Sequence, residues 1–162
     1  MNSGALKVIA KLGLMPLPRE GGFYRLTWVS AERLVSGRAA GSAIFFLITR
    51  DEFSGLHRMK AEELWHFHAG DAVDHVQIDP GDQSLSRSRL GGNVLAGEVP
   101  QLIVPGGIWQ GARLADKAEH GWALLGCTLS PAWDEAEFEL AQRKVLLGEF
   151  PAHADLVREF TR

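Results

Sequence analysis

Between residues 42 and 129 the sequence breaks into short apolar or alternating runs separated by turn formers, and this punctuation limits the fold more than any other feature. The runs cover 43–49, 64–68, 72–78, 85–89, 102–104, 108–113 and 122–129. Between them stand Pro80-Gly81-Asp82, Leu90-Gly91-Gly92-Asn93, Pro105-Gly106-Gly107 and Asp116-Lys117. Turns recurring at roughly 8–12 residues belong to an antiparallel sandwich or barrel. A doubly wound parallel sheet would need helical segments between its strands, and no such alternation occurs.

The flanks carry a different pattern. Leu6, Ile9, Ala10 and Gly13 share one face of a helix expected over 5–14, ended by Pro16 and Pro18. A Gly21-Gly22 joint leads into an aromatic and β-branched run at 23–29 that predicts a strand, followed by a small-residue loop at 30–41. Near the other end, Phe138, Leu140, Ala141, Val145 and Leu146 predict a helix ended by Gly148, and Leu156, Val157 and Phe160 predict a shorter one beyond Pro151. A chain of 162 residues, 46% hydrophobic and 23% charged, suits a single domain over 1–162 with its barrel at about 20–131. Its net charge of −3 and scattered basic residues exclude a nucleic-acid footprint. No apolar run approaches the ~18 residues of a membrane span. A lone Cys127 precludes an internal disulfide, and no leader pattern opens the chain, so the expected compartment is a reducing cytoplasm.

Chemistry-bearing residues concentrate at 55–70, where His57, His66, His68, Glu62, Glu63 and Trp65 fall within one stretch. In a strand, His66 and His68 share one face while Glu63, Trp65 and Phe67 share the other. A histidine pair two residues apart can chelate a metal, but only the face turned into a barrel forms a closed site. Cys127, inside an apolar run without a CxxC or a neighbouring histidine, is expected to be a small buried hydrophobe. His120 and His153 are expected at the surface.

The spacing His57-x5-Glu63-x6-Gly70, followed by Pro105-x-Gly107-x2-Gln110, resembles the two motifs of the cupin superfamily. More closely, the blocks at 18–27, 57–67, 90–101, 104–110 and 126–131 resemble in order those of the fifth named cupin family, long listed as a domain of unknown function. The resemblance implies an all-β jelly-roll barrel, here with a short N-terminal helix and one or two C-terminal helices, assembled as a homodimer. It also places Glu63 inside the barrel, which turns His66 and His68 away.

Against the cupin motifs, the first histidine is His57 and the glutamate is Glu63, while Met59 and Gln110 replace two further histidines. Three imidazoles and a carboxylate suit iron, manganese, nickel or zinc. The remaining set of His57, Glu63 and Gln110 implies a weakly bound divalent metal or no tightly bound cofactor. Without a metal, a carboxylate in an apolar barrel and an imidazole beside it form an acid–base pair near neutrality. Gln110 is then expected to fix a ligand polar group, with Trp65 and Trp109 walling the pocket. Arg25 is expected to clamp a carboxylate or phosphate; Tyr24 is the alternative, since strand parity lets only one of the two face inward.

Three readings remain open on this basis. One is a metal-independent isomerase or epimerase, similar to the sugar-nucleotide epimerases that share the jelly roll, with His57 and Glu63 as acid and base. The second is a metal-dependent oxygenase, lyase or isomerase. The third is a non-catalytic module that captures a small polar ligand.

Overall fold

A computed structural model describes residues 2–162. Two antiparallel sheets face each other, as the jelly roll requires. In chain order the strands are β1 (Met15–Pro16), β2 (Phe23–Val29), β3 (Ser42–Thr49), β4 (Ser54–Arg58), β5 (Glu62–Gly70), β6 (Val73–Ile78), β7 (Leu85–Leu90), β8 (Gln101–Val104), β9 (Trp109–Leu114), β10 (Trp122–Ser130) and β11 (Glu139–Leu140). One sheet runs β1-β2-β3-β10-β5-β8 and the other β11-β4-β9-β6-β7.

Alternation along these strands builds two apolar layers. Facing inward, Phe46, Ile48, Trp65, Val73, Leu90, Ala112, Leu125 and Cys127 form the barrel core. On the outer side of the five-stranded sheet, Leu56, Val76, Ile78 and Trp109 pack under the C-terminal helices through Leu146, Phe150, Val157 and Phe160. Much of that sheet, along β4, β6 and β9, is therefore buried on both faces.

The N-terminal helix α1 spans Ser3–Leu12, earlier than expected, because the Asn2 side chain accepts from the Ala5 N–H at 2.8 Å and caps it. Gly13, at φ 61° in the left-handed region, ends it before either proline is reached. At the other terminus the expected helix over 138–148 is corrected. Glu139–Leu140 pair with Arg58 and His57 as β11, and α2 starts only at Arg143, running to Glu149 with Gly148 inside it. The second short helix, α3 (Ala154–Glu159), follows a single turn at Pro151–His153. β4 was absent from the expected strands: Ser-Gly-Leu-His-Arg carries neither an apolar run nor a β-branched residue, and only its pairing to β9 and β11 makes it a strand.

Candidate functional site

A cavity of about 520 Å³ opens between the sheets. Its walls are largely apolar, from Leu17, Ile44, Phe46, Met59, Trp65 and Leu129, and its polar members are Arg19, Glu20, Tyr24, Ser42, His57, Glu63 and Glu135. His57 and Glu63 reach it from β4 and β5, inward positions on opposite sheets, and both are nearly inaccessible, at 3% and 7% exposure.

Gln110 sits behind them on β9. Its amide NH2 donates to Glu63 Oε2 at 2.6 Å while its carbonyl oxygen accepts from the Trp65 indole N–H at 2.8 Å. Since the indole can only donate, the amide orientation is fixed. Burial raises the Glu63 carboxyl above its ordinary value; His57 opposes this, Glu20 reinforces it, and Gln110 and the Cys127 thiol oppose it in part. Cys127 itself is pushed well above the usual thiol range by burial and by Glu63 and Glu20, so it is an inert wall rather than a nucleophile.

His57 is held from two sides. Its Nδ1 donates to the Gly55 carbonyl at 2.9 Å, which assigns a proton to Nδ1 and leaves Nε2 as the nitrogen available to a ligand. The Glu20 carboxylate lies 3.8 Å from the same Nδ1 and accepts from the Ser54 hydroxyl at 2.7 Å. Glu20 is placed by the turn between β1 and β2, where a Cβ on Gly21 (φ 102°) would come within 2.4 Å of the Phe53 carbonyl, so only glycine lets the loop close. At the mouth, Phe138 stacks on the His57 ring at 5.6 Å and 26°, with the Arg19 guanidinium on its ring at 5.2 Å and paired to Glu135 at 2.9 Å.

Several expected site residues fall elsewhere. Tyr24, not Arg25, faces the cavity; Arg25 points outward over the Phe45 ring at 5.5 Å. Trp109 is buried in the outer layer with Arg58 stacked on it at 4.5 Å, and does not wall the pocket. Trp65 does. His66 and His68 lie on the outer face of β5, His66 bonded to Gln101 at 3.1 Å and His68 set edge-on to Phe45.

Two residues were missed. Glu20 carried a signal, since it precedes the Gly21-Gly22 joint inside a recognised block. His75 shares the inward parity of Val73 on β6 and lies 5.0 Å from the Trp65 ring. Neither of its nitrogens has a hydrogen-bond partner among the described residues, and burial holds its pKa down at about 3, with the nearby Gln110 only partly opposing and His57 adding to the effect.

The residues do not fit the metal that many cupins hold. Met59 stands where an imidazole is needed, and turning the Gln110 oxygen toward an ion would set its NH2 against the Trp65 indole N–H. Among the described residues, no three His, Cys, Asp or Glu side chains converge on one point.

A model described as the cupin superfamily domain DUF985 matches residues 6–141. The chain belongs to this cupin family. Two solved structures are similar along nearly their whole lengths. One is a hypothetical protein from Leishmania major (33% identity, 97% of this chain and 98% of that one, TM-score 0.90). The other is a protein from Shewanella oneidensis (34% identity, 100% and 98%, TM-score 0.90). The oxalate decarboxylase of Bacillus subtilis shares the fold alone, at 11% identity over 91% of this chain and 37% of that one (TM-score 0.57). That enzyme is described with Mn(II) centres. No curated protein matches the cupin described here. Among the described residues, no helix is long and apolar enough to cross a membrane.

Proposed function

We propose that this cupin binds a small molecule in the barrel cavity and performs metal-independent proton transfer on it, as an isomerase or epimerase does, with His57 as base and Glu63 as acid. The observation that carries this reading is the pairing, in one cavity, of an imidazole whose Nδ1–H is spent on the Gly55 carbonyl, which leaves Nε2 for a ligand, with a carboxyl whose pKa burial raises. A substrate C–H gives its proton to His57 Nε2, and the Glu63 carboxyl returns one to the adjacent centre. Glu20, beside Nδ1, stabilises the imidazolium formed in between, and Gln110 holds Glu63 in place. Solvent exchange then restores both groups, so the proton count closes.

The sugar-nucleotide variant of this reading loses its support, because Arg25 faces away from the cavity and Arg19 is already paired. The test is deuterium uptake from heavy water into a library of small carbonyl compounds, amines among them, read by mass spectrometry. Wild type is expected to exchange at least one compound, with His57→Gln and Glu63→Gln slower by about 100-fold or more. Equal exchange in both variants, or none in wild type, contradicts the proposal. The homodimer belongs to the same proposal, supported by the exposed Leu26, Trp28 and Val29 of β2; light scattering showing a monomer at micromolar concentration would remove it.

A further inference from the structure

The polar groups of the cavity are unequally satisfied. The Gln110 NH2 is spent on Glu63, the Trp65 N–H on Gln110, the His57 Nδ1–H on the Gly55 carbonyl and the Ser54 hydroxyl on Glu20. Ser42 Oγ accepts from the Trp133 N–H. These bonds leave the second Glu20 oxygen and His57 Nε2 as acceptors and the Tyr24 and Ser42 hydroxyls as donors, while Glu63, the acid of the proposed reaction, enters protonated. The formal charges single out one of these groups. Of the lining carboxyls, Glu135 forms a closed ion pair with Arg19 at the rim and Glu63 is the protonated acid, which leaves Glu20 as the carboxylate with no arginine or lysine of the lining to meet it. The neighbouring basic residues of the strands are turned outward, Arg25 onto Phe45 and Arg58 onto Trp109 and Glu139.

A floor whose one uncompensated charge is the Glu20 carboxylate discriminates between ligands. A carboxylate or phosphate would be desolvated without a cation to meet it. A neutral alcohol has one O–H to offer. An ammonium has three N–H donors and a charge, and the remaining wall suits its surroundings: Tyr24, Phe46, Trp65, Trp133 and Phe138 present aromatic surface around the same space. We infer that the cavity selects a small organic cation, a protonated amine with an apolar body of about one ring, its ammonium held by the Glu20 carboxylate and its body against the aromatic wall. Glu20, rather than Glu63, is the anchor because Gln110 and Cys127 already occupy the surroundings of Glu63, whereas Glu20 stands nearer the mouth with one oxygen unengaged. This inference rests on the reading of the cavity as a ligand site and adds the class of ligand.

The test is calorimetric titration near neutral pH with three isosteres, 2-phenylethylamine, 2-phenylethanol and phenylacetate, against wild type, Glu20→Gln and Glu63→Gln, with thermal melting to confirm that each variant is folded. The amine is expected to bind about tenfold or more tighter than the alcohol, and phenylacetate more weakly than either. Glu20→Gln should erase the preference for amine over alcohol without changing the alcohol's affinity, while Glu63→Gln should keep it. Equal binding of alcohol or phenylacetate by wild type, a preference that survives in Glu20→Gln, or no binding of any isostere overturns the inference. The comparison among isosteres on wild type holds even if a variant fails to fold. Failure of the proton-transfer reading shows separately, as deuterium uptake unchanged by His57→Gln and Glu63→Gln.

Discussion

Each end of the barrel buries a carboxylate, and the two are treated in opposite ways. Asp71 follows β5, where its two oxygens accept from the backbone N–H groups of Glu119, His120 and Gly121 at 2.7, 2.9 and 2.6 Å. Burial alone would raise its pKa, but the donors of His120, Glu119 and Gly121 outweigh this and lower it. Glu63, at the cavity end, has the Gln110 amide and a neighbouring thiol, and burial wins. The same functional group is thus a loop clamp where the backbone solvates it and a proton carrier where an apolar cavity does not.

The largest expected effect comes from breaking the clamp. Asp71→Ala leaves three partly buried N–H groups without their acceptor and should cost about 2–3 kcal/mol in chemical denaturation, while ligand affinity in the cavity stays unchanged. A loss of affinity as large as in Glu20→Gln would show that the two ends are not independent. Next is the buried imidazole packed against Trp65. His75, held near 3 in the folded state against 6.5 when free, stays neutral when folded, so the stability linked to it is present above 6.5 and lost as pH falls toward 3. Wild type should weaken over that window, and His75→Leu should flatten the dependence; equal slopes would contradict it.

Glu63 has the opposite sign. Its raised value means that the folded chain holds the proton more tightly than the unfolded one, so the linked stability is full below about 4.5 and is lost as pH rises through the folded value. Glu63→Gln should therefore gain on wild type in melting temperature as pH rises from about 4 to about 8. The smallest effect is expected at the outer histidines: His66→Gln should stay within about 0.5 kcal/mol and leave cavity binding alone, whereas a clear loss of binding would place it in the site.

Much of this contrast was legible in the sequence. Strand spacing gave the two-sheet barrel, and the parity of Glu63, Trp65 and Phe67 against His66 and His68 sorted the histidine-rich stretch correctly. Local pattern failed where long-range pairing decides. Residues 139–140 form a strand only because β4 offers its edge, and Tyr24 rather than Arg25 turns inward because pairing with β3 sets the register. Glu20 and His75 were hidden for a related reason. One lies in a turn whose path depends on two glycines at positive φ, the other in a strand that pairs on one side with β9, distant in sequence.

The central claim is that Glu63 is an under-solvated carboxyl poised beside His57. It is tested most directly by a carbon-detected NMR titration of glutamate-labelled protein, with Glu63→Gln assigning the resonance. A midpoint above 4.5 is the predicted result. A midpoint at or below 4.5 would show that Glu63 is as well solvated as Asp71 and would contradict the account.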